Sequence, residues 1–274
     1  MEHVPTVDDR VRRIQSEGVL ILGGGRALLM QVAHPLVARG VTEHSSYRTD
    51  RLGRLRRTLQ PIYAMALGTP EEARAAAQRV RAVHEHVAGA GYHAEDPALL
   101  GWVLATLIDT ALLMHRRFVA PLDPRDAEAY YRAMVGIGAM LGMPRSALPE
   151  TLHEFDAYVE EMVATLDVSG DSRLIARELF APVPGAPWLT PAMPIARQLT
   201  SGLLPSRLRE QYGLSWGPRR EALLRSVAGI TRAMRPTPPA LLTRPPDVLL
   251  PASRRRRASG APTRGVTVDR AVAH

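Results

Sequence analysis

The chain of 274 residues contains no cysteine. Disulfide frameworks, thiolate nucleophiles, iron–sulfur clusters and thiolate zinc sites are excluded together, so any metal must be held by histidine, by carboxylates or within a cofactor. Lysine is also absent, and all 35 basic residues are arginine. Aromatic residues make up only 5%, which leaves no platform for stacking nucleic-acid bases. No uninterrupted apolar run reaches the roughly 18–20 residues of a membrane span: Gly18 to Leu29 is broken by Arg26, and Gly101 to Met114 contains Asp109. The opening MEHVPTVDDRVRR has no apolar segment with a cleavage site, so the expected location is cytoplasmic.

The 46% hydrophobic content at this length supports a sizeable core. The net charge of +8 owes much to Arg254, Arg255, Arg256 and Arg257, in a tail rich in Ser, Gly, Pro and Thr. This run raises nucleic acid as a partner, but without aromatics beside it a disordered solubilising tail is the simpler reading, and no nucleic acid is expected.

Between residues 70 and about 235 apolar residues recur at intervals of three and four, which predicts an all-α fold in a single domain. One helix is expected to begin at Thr69, Pro70, Glu71, Glu72, a capping box with proline in first position, and to end near Gly89 and Gly91. Others are predicted from Pro97 to Phe118, from Asp123 to about Leu141, and over 149–166, 171–180 and 217–234, with shorter helical pieces in 189–212. Residues 235–251 read as a proline-rich strap and 252–274 as a disordered tail. The expected division is an N-terminal extension 1–14, a helical domain 15–250 and the arginine-rich tail 251–274.

The segment GVLILGGGRAL, residues 18–28, imitates a dinucleotide-binding turn. The third glycine position is Leu28 and no strand–helix alternation follows, so a bend or a close helix contact is the preferred explanation.

Three places carry chemistry. In the helix from residue 70, Ala73, Ala76, Ala77, Val80, Val83, His84 and Val87 form the predicted inward stripe, placing an imidazole among small residues. A core histidine and a ligand of a planar cofactor are both compatible with that position. His86 is two residues on and diverges by about 200°, so the pair cannot readily chelate one ion. Arg54 and Thr58 share a helix face with Arg57 beside them, as either a solvated basic face or a set of donors for an anionic or oxygen species. Asp109, alone on an apolar helix, must meet an arginine or orient a histidine, and is a candidate for cofactor contact. His34, before Pro35 at an expected helix break, and His44, near a loop, complete the histidine candidates. Neither H-E-x-x-H nor G-x-S-x-G occurs.

The ordered blocks GGGRALLMQVAHPLVARGVTEHS, RLGRLRRT, RVRAVHEHVAG, GWVLATLIDT and LTSGLLPSRLREQYGL resemble the mpaB-type and latex-clearing (rubber) oxygenase domain over about residues 15–250. The resemblance implies an all-helical fold with a globin-like core and a b-type haem that cleaves carbon–carbon double bonds of isoprenoid chains with dioxygen. It places the iron ligand on His84, within HEHV, and the distal arginine and threonine on Arg54 and Thr58. Where rubber oxygenases carry an iron-capping lysine, Arg57 stands, and a guanidinium stays protonated and ligates iron poorly. The implied partners are dioxygen and an apolar unsaturated small molecule. Peripheral membrane contact is compatible with this reading, as is a non-enzymatic helical haem- or lipid-binding protein. The family's catalytic glutamate has no clear counterpart, with Glu43 and Asp50 only nearby.

Overall fold

A computed structural model describes residues 9–44, 51–183, 185–234 and 245–258. Among them are thirteen α-helices and one two-stranded ribbon, an all-α architecture as the periodicity predicts. The centre is α6, Pro97–Phe118, started by Asp96, whose carboxylate accepts from the amides of Ala98 and Leu99. By length and composition α6 could cross a membrane, yet its Trp102, Ile108 and Met114 are fully buried against neighbouring helices.

The glycine run packs closely against this helix. Residues Gly18–Gly23 form a 3₁₀ turn leading into α2, Gly24–Gln31, and no strand precedes the glycines. A Cβ on Gly23 would lie 2.6 Å from Thr110 and 2.8 Å from Met114 of α6, and one on Gly25 would collide with Thr200 of α10, Met193–Leu203. Close helix contact is therefore what the glycines permit. The Trp102 indole donates to the carbonyls of Met30 and Gln31, satisfying the last turn of α2.

Helix α1, Asp9–Gln15, belongs to the core: Val11 and Ile14 are buried, although these residues were expected in an extension. Helix α3, Pro35–His44, leaves α2 at a bend of 108°, with His34 and Pro35 at the break as expected. Helices α4, Arg51–Leu67, and α5, Pro70–His84, form a tight hairpin closed by Gly68 and Thr69. The predicted capping box is present: Thr69 accepts from the Glu72 amide and Glu72 from the Thr69 amide.

Helix α5 stops at His84, earlier than expected, because the chain turns into the ribbon of β1, Ala88–Gly89, and β2, Tyr92–His93. Gly91, with φ of 83°, makes the ribbon's turn and not a helix cap. The remaining helices are α7, Pro124–Met140; α8, Leu152–Thr165; α9, Gly170–Leu179; α11, Ser206–Gln211; and α12, Pro218–Ala233.

The proline-rich strap falls partly outside the described residues. Its end is docked: Leu249 and Leu250 are buried, and the Val248 carbonyl accepts from Gln60 of α4. Residues Ala252–Ala258, expected in a disordered tail, form helix α13. The Ser253 amide and hydroxyl both donate to the Glu72 carboxylate at 2.9 and 2.5 Å, and Arg254 donates to the Leu67 carbonyl. These partners hold the start of the tail on the α4–α5 turn. The remainder of the tail, 259–274, lies outside the described residues, as does the strap segment 235–244.

Candidate functional site

The α4–α5 hairpin sets the register of the candidate residues. Arg54 lies thirteen residues before the end of α4 and His84 fourteen after the start of α5, so both stand about 20 Å from the turn, at the hairpin's open end. Sequence-predicted residues on two helices thus reach one level of the fold.

His84 is half-buried, and its Nδ1 is sealed from solvent with no hydrogen-bond partner among the described residues. Burial lowers its pKa from the ordinary value; Glu95 opposes the shift and His93 adds to it. The surroundings thereby disfavour the imidazolium form of the ring. An unpartnered buried nitrogen costs about 1–3 kcal/mol. The stripe of α5 is truly inward at Ala73, Ala76 and Ala77, but Val83 is 62% exposed and not part of it. The reason is local: α5 ends at the next residue, beyond the helices that cover its first turns. His86 is exposed and bonds back through Nδ1 to the Ala82 carbonyl.

The face bearing Arg54 and Thr58 grades from outside to inside. Arg54 is half-buried, Thr58 exposed, Ile62 half-buried and Met65 buried along one line of α4. Arg57 is exposed beside them, as is Leu55. Thus the inward turn predicted for this face holds near the hairpin's closed end, while its open end is a basic, partly solvated surface.

His34 also carries a buried, unpartnered Nδ1, and burial lowers its pKa against the pull of Asp96. Glu95 and Asp96, adjacent residues in the loop between β2 and α6, thus oppose the shifts of His84 and His34 respectively. Thr42 of α3 contributes a third buried and unpartnered atom, its hydroxyl. The end of α3 is fastened to the ribbon: Tyr92 donates to Glu43 at 2.6 Å, and the His44 Nε2 meets the Ala88 carbonyl at 3.0 Å. His44 therefore caps a loop as expected, and Glu43 is engaged by tyrosine. Asp50 lies outside the described residues.

Asp109 is placed elsewhere. Its carboxylate receives Arg26 at 2.6 Å, and the same guanidinium donates to the Thr110 hydroxyl at 2.6 Å and the Leu203 carbonyl at 2.8 Å. Of the two partners open to it, Asp109 takes the arginine. Arg26 was not read as the partner of Asp109, although one lone cation and one lone anion in the two most apolar stretches are the sequence signal of such a pair. Among the described residues no group of three His, Asp or Glu side chains converges that could hold a metal ion.

The profile of the ER-bound oxygenase mpaB/B'/rubber oxygenase catalytic domain matches residues 11–233. The chain is 25% identical over 216 residues to the uncharacterized proteins Mb2261 of Mycobacterium bovis and Rv2237 of Mycobacterium tuberculosis, covering 75% of this chain and 84% of each of them. With its all-helical fold and a family match that begins at Val11 in α1 and ends at Ala233 in α12, the chain belongs to the ER-bound oxygenase mpaB/B'/rubber oxygenase catalytic-domain family.

Proposed function

We propose that the protein is a haem b-dependent oxygenase that uses dioxygen to cleave or oxygenate an apolar unsaturated substrate, isoprenoid or lipid-like, in the cytoplasm. The observation that carries this reading is His84: an imidazole with a buried, unpartnered nitrogen and a pKa lowered by burial, at the open end of the α4–α5 hairpin, in the H-x-x-V pattern on which the resemblance places the iron ligand. Such a donor would hold the iron of a b-type haem. When bound, haem supplies the oxygen activation and electron transfer that protein side chains lack.

The chain's own groups have distinct tasks in this scheme. His84 would hold the cofactor, and burial disfavours its imidazolium. Arg54 and Thr58 would offer a cation and a hydroxyl from neighbouring α4 to an oxygen that gains negative charge. Arg57 contributes charge and no coordination, since guanidinium does not give up its proton. Leu55 and Val83, exposed on the two helices, supply apolar surface for an aliphatic chain.

The test is the absorption spectrum of protein produced with ample haem, beside His84→Ala, before and after dithionite and carbon monoxide. A Soret band that shifts with carbon monoxide and is lost in the variant is expected. Full haem retention by His84→Ala refutes the ligand assignment. The exposure of Thr58 favours a second reading, a haem- or lipid-binding protein without turnover. Oxygen uptake across a panel of alkenes separates the two, because only the oxygenase consumes oxygen in step with alkene.

A further inference from the structure

Helix α12 has two apolar stripes, and only one is used by the fold. Leu224 and Ala228 are buried, with Leu224 packed so closely on α10 that a Cβ on Gly202 would lie 2.6 Å from it. The second stripe, Leu223, Val227, Ile230 and Met234, recurs at intervals of four, three and four and is 44–65% exposed. At 100° per residue these four side chains fall within about 60° of one another. Arg219 borders the stripe on one side and Arg220 on the other, both exposed.

Charge on this helix is of one sign. Arg219, Arg220, Arg225 and Arg232 face a single acid, Glu221, which is taken by Arg117 at 2.8 Å and by the Trp216 indole at 3.0 Å. Arg219 and Arg225 make no hydrogen bond or ion pair among the described residues. Two more large apolar side chains are exposed on neighbouring elements: Ile195 of α10, which packs on α12, is 71% exposed, and Trp188, on the 3₁₀ turn Pro187–Ala192 that packs on α10, is 73% exposed. Arg220 shares a depression of about 440 Å³ with Met193, Pro194 and Arg197 of α10.

We propose that this face, α12 with Trp188 and Ile195, seats the protein peripherally on an anionic lipid bilayer. An exposed apolar stripe between arginines is the pattern of a helix lying in the interfacial plane, and tryptophan favours the same depth. The occupant follows from charge. A second copy docked through the same face would bring together two surfaces that both carry Arg219 and Arg220 and no free acid of α12, whereas anionic headgroups neutralise them. The net charge of +8 acts in the same direction. The inference is independent of the haem reading, since neither His84 nor α4 takes part.

The experiment is co-sedimentation of the full chain with vesicles of phosphatidylcholine alone or mixed with phosphatidylglycerol. Binding to the anionic vesicles is expected, weakening with salt, with a blue shift of tryptophan emission that Trp188→Phe removes. Arg219→Gln with Arg220→Gln, the two arginines that border the stripe, should weaken binding on the order of 30-fold at about 1 kcal/mol per arginine. Leu223→Gln with Ile230→Gln, at exposed positions where helical circular dichroism should stay unchanged, should abolish the emission shift. The proposal is overturned if wild type ignores anionic vesicles. It also fails if the leucine–isoleucine variant binds them equally, or if neutralising Arg254 to Arg257 alone removes binding. Light scattering that shows a dimer broken by the stripe variant would assign the face to a second copy.

Discussion

Asp109→Ala isolates the energetics of the Arg26 pair. Arg26 is 5% exposed and Asp109 23% exposed. Removing one partner of a fully buried ion pair costs about 3–5 kcal/mol, because a charge is left without compensation. Here Arg26 would keep the Thr110 hydroxyl and the Leu203 carbonyl, and water reaches the carboxylate position, so the lower end applies, about 3 kcal/mol. For a domain of this size that is a fall in Tm of about 6–12 °C. Arg26→Met removes the charge and leaves three acceptors without their donor, the Leu203 carbonyl, the Thr110 hydroxyl and the Asp109 carboxylate, at about 1 kcal/mol or more each. In the double variant no buried charge remains, so its loss should be smaller than the two single losses added. Urea denaturation of all four proteins gives the cycle. If the single losses add within about 0.5 kcal/mol, or Asp109→Ala costs less than 1 kcal/mol, the pair is not the coupled buried element described.

Other outcomes follow from packing and titration. Gly23→Ala should cost about 1–3 kcal/mol, because its methyl meets buried Thr110 and Met114, while Gly24→Ala, with open space around it, should be neutral or slightly stabilising; urea midpoints compare them. Burial holds the His34 pKa below its ordinary value, so the unfolded chain binds that proton first as pH falls. Its contribution is present above about pH 6.5 and is lost progressively below it, and His34→Gln should flatten the acid limb of a stability profile. The opposite limb belongs to tyrosine: burial pushes Tyr131 up to about 12 and raises Tyr63, Tyr130 and Tyr212 as well. Stability should therefore decline as pH rises above about 10, with phenolate absorbance appearing together with unfolding.

The helices from residue 70 onward were legible because their caps are chemical: Thr69 with Glu72, Asp96 and Asp123 make the side-chain bonds that their spacing announces. Two features were not. The end of α5 depends on the ribbon that Tyr92 anchors to Glu43, a contact between residues 49 apart, which no local periodicity encodes. The exposure of Val83 follows from the same early stop. In the site, His84 and the Arg54–Thr58 face were read from helix geometry, and the hairpin does bring them to one end. The meeting of Asp109 with Arg26 required tertiary structure, since two partners were chemically open to the carboxylate. His34 was read as marking a break, and its buried unpartnered nitrogen emerged only once α6 and its leading loop stood beside it.

The docking of the strap has a consequence for the newborn chain. Ser253 closes on Glu72 across 181 residues, and Arg254 on Leu67 across 187. Translation at about 5–20 residues per second leaves an interval on the order of 10–40 s between the emergence of the α4–α5 turn and that of its clasp. During that interval the hairpin bearing His84 lacks its last fastening. A chain cut short before residue 249 would have nearly all the helices but none of these bonds on the α4–α5 turn, so the hairpin that carries the imidazole would stand without its clasp.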